Sequence, residues 1–166
     1  MKQLIYFAYG SNMSSKRLKQ RVPSAQFVDL ATLYGHDLRF HKKSHDGSAK
    51  CNALETGNVD DYVIGTLFTM DAAHKKALDW AEGLGFGYEI KEVEVKLFSG
   101  QREIAFTYYA TDIDETLLPY QWYHTHVLNG AIEHGLPKEY RAKIENVRTI
   151  SDPDRVRHQN ESDIHQ

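Results

Sequence analysis

The spacing of apolar residues changes at Pro119, and that change bounds the folds open to this chain. From Gln3 to Ala110 most apolar residues come in short, strand-length runs broken by glycine: Ala25 to Leu33, Asp37 to His41, Cys51 to Leu54 and Tyr62 to Thr69, with Gly35, Gly47 and Gly57-Asn58 between them. Gln3 to Tyr9 reads as a further strand, and Tyr88–Phe98 with Gln101–Ala110 as a hairpin turning at Ser99-Gly100. A short basic helix from Ser14 or Ser15 to Arg21, and another from an Asp71 cap to Gly83, interrupt the strands. Beyond Pro119 the period becomes helical through Trp122, Val127, Leu128 and Ala131, and Gly135-Leu136-Pro137 separates a second helix from Lys138 to about Arg148. Many strands without regular strand-helix alternation indicate an α+β domain built on a small twisted barrel or strongly curved mixed sheet. Residues 1–150 are expected to form one domain, with 151–166 a polar, mobile tail.

Composition narrows the function. The 166 residues carry 20 basic and 23 acidic side chains, a balance that argues against general nucleic-acid or membrane binding. No apolar run approaches a spanning helix. The N-terminus runs directly into a strand pattern without a signal-peptide core, so the expected location is cytoplasmic. The single cysteine, Cys51, excludes an internal disulfide and reads as a small strand residue. Nine histidines include His124 and His126, but helical positions two apart do not share a face. With no zinc-type spacing elsewhere, no metal is expected. His36 to Lys50 concentrates Arg39, Lys42, Lys43, Lys50 and three histidines. It could receive an anionic substrate, but such runs are usually a solvated edge, and that is the expectation.

Two segments carry chemistry. In Tyr6-Phe7-Ala8-Tyr9-Gly10-Ser11-Asn12 a strand ends in Gly-Ser-Asn and a helix follows at once. Gly10 permits a tight turn and close approach of a ligand. Loop amides pointing to one place form an anion cradle. The Gly-Lys-Ser/Thr ending of a phosphate loop is missing, and so is the elbow of a serine hydrolase built on Ser11. The second segment is Leu78-Asp79-Trp80-Ala81-Glu82-Gly83, followed by Tyr88; Glu82 stands at the end of its helix. Taken alone, the segments read as an ordinary turn and a solvated helix end.

Together, and with Gly130-Ala131-Ile132-Glu133-His134-Gly135-Leu136-Pro137-Lys138-Glu139-Tyr140 as a third match, these segments resemble the γ-glutamylcyclotransferase family from about Tyr6 to Arg148. The resemblance implies that family's small mixed β-barrel with flanking helices, its loop and glutamate facing one cavity. Tyr6 to Asn12 would hold a small-molecule γ-glutamyl substrate, and Glu82 would match the catalytic glutamate. Tyr123, Tyr88 and Tyr109 would match aromatic positions near the site. The implied reaction closes the substrate on itself. The α-amine attacks the γ-carbonyl, giving 5-oxoproline and a free amine, with Glu82 moving the protons and no cofactor required. Two stretches depart from the family pattern, the glycines ending at Phe86-Gly87-Tyr88 and the segment Asp112 to Tyr120. Both are expected on the leaving-group side. The alternatives are a non-catalytic binding module on the same fold and deprotection of a γ-glutamylated biosynthetic intermediate. The helical pair after Pro119 offers a face for a homodimer.

Overall fold

In a computed structural model covering residues 1–166, the apolar runs form seven strands. These are β1 (Gln3–Ala8), β2 (Gln26–Tyr34), β3 (His36–Lys43), β4 (Ala49–Glu55), β5 (Tyr62–Asp71), β6 (Tyr88–Leu97) and β7 (Arg102–Ala110). Five strands close into a barrel in the order β1-β5-β2-β6-β7, and β3 with β4 forms a separate two-stranded sheet. Neighbours are antiparallel except at the closure, where β1 meets β7 in parallel at Tyr6 and Phe106. Closure leaves no edge strand in the barrel. Aromatic and aliphatic side chains fill it, with Phe7, Phe68, Leu67, Val63 and Met70 among the fully buried ones.

Helices cover the barrel's ends and flank. A 3-10 turn at Ser11–Met13 leads from β1 into α1 (Ser15–Arg21), which Ser14 caps by accepting from the Arg17 amide. Asp71 caps a 3-10 turn at Ala72–His74 that precedes α2 (Lys75–Glu82). Gly83 ends α2 in the left-handed conformation, φ 72°, so Glu82 is its last residue. The helical part beyond Pro119 contains α3 (Gln121–Glu133) and α4 (Lys138–Glu145). Gly130 of α3 lies against the 3-10 turn so closely that a Cβ there would stand 2.6 Å from the Met13 carbonyl carbon. No helix is long and apolar enough to cross a membrane.

The tail departs from the expected mobile segment. Residues Arg155–Ser162 form α5, capped by Asp154. Asp152, buried, accepts from Trp122 Nε1 at 2.8 Å and from Arg157 Nε at 2.5 Å and Nη2 at 2.6 Å. Glu161 accepts from Arg17 Nη1 at 2.7 Å and pairs with His126 Nε2 at 2.9 Å. A polar composition hid these anchors, because Trp122, Arg17 and His126 lie far away in the sequence.

Candidate active site

The end of β1 pairs with β5 through Ala8 and is pinned further by hydroxyls. Thr107 Oγ1 donates to the Phe7 carbonyl at 2.8 Å, and Thr66 Oγ1 to the Ala8 carbonyl at 3.3 Å. The chain then leaves the barrel through Tyr9 and Gly10, whose amides donate to no backbone carbonyl. A Cβ on Gly10 would meet Cys51 Cβ at 3.0 Å and Tyr123 Oη at 3.4 Å, so glycine is what lets the loop lie against β4 and α3. Here the loop borders a small cavity of about 30 Å³ lined by Tyr6, Tyr9, Gly10, Ser11, Asn12, Cys51, Glu82, Tyr88, Tyr108 and Tyr123.

Glu82 is brought to this cavity from the far side by α2 and held by the loop itself. Asn12 Nδ2 donates to Glu82 Oε1 and, at 3.0 Å, to Tyr6 Oη, while Asn12 Oδ1 accepts from Arg21 at 3.1 Å. One amide side chain thus ties the loop after β1, the glutamate and α1 together.

The five tyrosines divide by what their hydroxyls already do. Tyr9 donates to the Tyr108 carbonyl at 2.6 Å, Tyr88 to the Cys51 carbonyl at 2.5 Å and Tyr108 to Asp79 Oδ1 at 2.6 Å. These three keep only acceptor capacity. Tyr6 and Tyr123 instead accept, from Asn12 and from the Cys51 amide at 2.9 Å, so their own protons are spent on no carbonyl or carboxylate, although the Cys51 thiol lies beside the Tyr123 hydroxyl. Burial raises all five phenols above their ordinary value, so they act as neutral hydrogen-bonding groups. The Cys51 thiol is pushed up to about 12 by burial and is not a thiolate nucleophile at neutral pH.

Outside Ser11, Glu82, Tyr88 and Tyr123 lies a polar vestibule of about 100 Å³, completed by Arg17, Arg21, Lys42, Ser44, Lys50 and Ala81. Lys42 and Lys50 had been expected on a solvated edge. Both side chains are well covered, and their ammonium groups lie 4.7 Å from the Tyr88 ring centroid and 4.8 Å from that of Tyr123.

Three of the expected substrate-binding residues do not line the cavity. Phe7 and Ala8 are buried in the barrel and serve it as scaffold. Tyr109 opens onto a different depression with Lys91, Glu55 and Ile113, because alternation along β7 sends Tyr108, not Tyr109, to the cavity. Nothing local marked Cys51, which contributes its backbone to two tyrosines.

A family model described as the AIG2-like family matches residues 62–144. The curated "Gamma-glutamylcyclotransferase" of Homo sapiens is 33% identical over 144 residues, covering 84% of this chain and 76% of that protein. The chain belongs to the γ-glutamylcyclotransferase family. The protein of the same name from Bos taurus is 31% identical over 147 residues, covering 86% and 78%. A solved structure titled "Gamma-glutamyl cyclotransferase" superposes with a TM-score of 0.88 at 28% identity, covering 99% of both chains. The barrel and its flanking helices are therefore those of the γ-glutamylcyclotransferases, and the chain is an enzyme of this kind.

Proposed function

We propose that this γ-glutamylcyclotransferase cleaves γ-glutamyl amides of amino acids or amines by intramolecular attack, with Glu82 as general base and then general acid. The observation that carries the reading is the placement of the Glu82 carboxylate. It stands where the cavity and the vestibule meet, tied by Asn12 to the loop whose Gly10 amide is unpaired.

The γ-glutamyl portion occupies the inner cavity, which confines the α-amine near the γ-carbonyl and removes most of the entropic cost of ring closure. An α-amine has a reference pKa near ~8 and arrives mostly as ammonium. Glu82 takes one proton, the nitrogen attacks and sheds a second as the ring closes, the C–N bond to the leaving amine breaks, and the two protons leave on that amine as ammonium. The hydroxyls of Tyr6 and Tyr123 and the loop amides are donors for the α-carboxylate and for the oxyanion that forms on the γ-carbonyl. The chemistry needs no cofactor.

The test is release of 5-oxoproline from a panel of γ-glutamyl amides by wild type and by Glu82→Gln. Product from wild type with none from the near-isosteric variant is the expected outcome. Equal turnover by the variant would remove Glu82 from this role. No product from any substrate, with binding intact, would leave a binding module on the same fold.

A further inference from the structure

The vestibule presents four cationic side chains, and they are not equally engaged. Arg17 pairs with Glu161 at 2.7 Å, and Lys50 with Asp46 at 2.7 Å. Arg21 rests on the Asn12 amide oxygen. Lys42 forms no ion pair or side-chain hydrogen bond, although the residue is only 5% exposed. Its ammonium lies over the face of Tyr88, and the carboxylates of Glu82, Asp46 and Asp112 act on it only from a distance, without contact. Withdrawing an ammonium from water is costly unless an anion answers it.

This placement is built into the backbone. β3 carries a bulge between Phe40 and Lys42, where it pairs with β4. The bulge brings two successive side chains, His41 and Lys42, under cover, which regular alternation would not do. Gly87, at φ +119°, makes room for the lysine stem: a Cβ there would stand 2.8 Å from Lys42 Cε. The segment after β7 clamps the same strand, with the Lys43 amide donating to the Asp112 carbonyl and the Asp114 amide to that of His41. The two stretches that depart from the family pattern are thus the ones that hold Lys42.

We propose that Lys42 sets the specificity of the reaction by binding a carboxylate on the leaving amine. This rests on the cyclisation reading of the site. With the γ-glutamyl group in the inner cavity, the scissile nitrogen lies at Glu82. Substituents on that nitrogen then extend into the vestibule, because the two volumes share the wall formed by Ser11, Glu82, Tyr88 and Tyr123. A carboxylate one carbon from the nitrogen meets Lys42, with Arg21 second. A polyamine or a lysine side chain brings further positive charge or none to the same place and gains nothing there.

The experiment compares γ-glutamyl-alanine with its neutral isostere γ-glutamyl-alanine amide, on wild type, Lys42→Met and Lys42→Arg. Wild type is expected to favour the acid by about tenfold or more in kcat/KM. Lys42→Met should bring the ratio of the two substrates close to one, and Lys42→Arg should restore part of it. A wild-type ratio near one would overturn the proposal, as would Lys42→Met lowering both substrates by one common factor. If neither amide is turned over, the same pair is titrated calorimetrically onto wild type and Lys42→Met. A preference for the acid that disappears in the variant would uphold Lys42 while sinking the cyclisation reading, and equal binding would overturn Lys42.

Discussion

At the scale of single residues, Asn12 decides how well the site is made. It spends both amide protons, on Glu82 and Tyr6, and its oxygen on Arg21. Asn12→Ala should free the Glu82 carboxylate and lower kcat by about tenfold with little change in fold, measured by single-turnover kinetics and circular dichroism. Tyr123→Phe removes a donor and strips the Cys51 amide of its partner. We expect a loss of about 10²-fold in kcat if that proton meets the oxyanion, with roughly 1–3 kcal/mol of stability lost from the unpaired amide. Wild-type kcat in Tyr123→Phe would place the hydroxyl in a structural role. Gly10 and Glu82 stand out in the sequence because each falls in a segment with recognisable order, whereas Tyr123 stands out only through the family resemblance. Tyr108 and Tyr109 could not be told apart without the phase of β7.

At the scale of elements, the loop's position depends on what is packed behind it. The 3-10 turn at Ser11–Met13 is seated on α3 at Gly130, where the backbones of Met13 and Ser14 leave no space for a Cβ. Gly130→Ala should force the two apart, costing about 1–3 kcal/mol. It should also raise KM, because the displaced turn carries Ser11 and Asn12. Denaturant titration and steady-state kinetics on one preparation check both effects. The helical period after Pro119 announced α3, but not which face would carry the loop. The β3 bulge was equally hidden: the basic stretch from His36 to Lys50 reads as solvated edge until the bulge turns Lys42 under cover.

At the scale of the whole molecule, the C-terminal helix is joined to the site. Glu161 on α5 holds Arg17, and Arg17 Nε donates to Ser11 Oγ on the loop at 3.2 Å. Glu161→Ala should cost roughly 2 kcal/mol, less than a fully buried pair because Glu161 keeps some contact with water. That corresponds to about 4–8 °C in Tm for a chain of this size. The cluster also sets an acid limit. Burial works to raise the Glu161 carboxyl, but hydrogen bonds and charge from His126 and Arg17 outweigh it and hold it at about 2, against 4.5 when free. Its contribution is present above 4.5 and is lost as pH falls toward 2. Burial lowers His126 from 6.5 to about 4, so between those values the unfolded chain takes up a proton that the folded one refuses. Stability should therefore begin to fall below about pH 6.5 and continue falling into strong acid. In Glu161→Ala the part below 4.5 should largely disappear, as thermal melts across pH would show.

Local order in the sequence was sufficient for the strand-rich first part, the helical second part, the turn at Gly10 and the helix end at Glu82. Those features follow from period, capping and the conformational freedom of glycine, all of which act over a few residues. The tertiary structure alone decided which tyrosines donate, that the tail is anchored through Trp122 and Arg17, and that Lys42 faces the vestibule. Each of these depends on partners that only barrel closure and the β3 bulge bring together. A buried polar group takes its role from whatever fold-distant neighbour satisfies it or leaves it free.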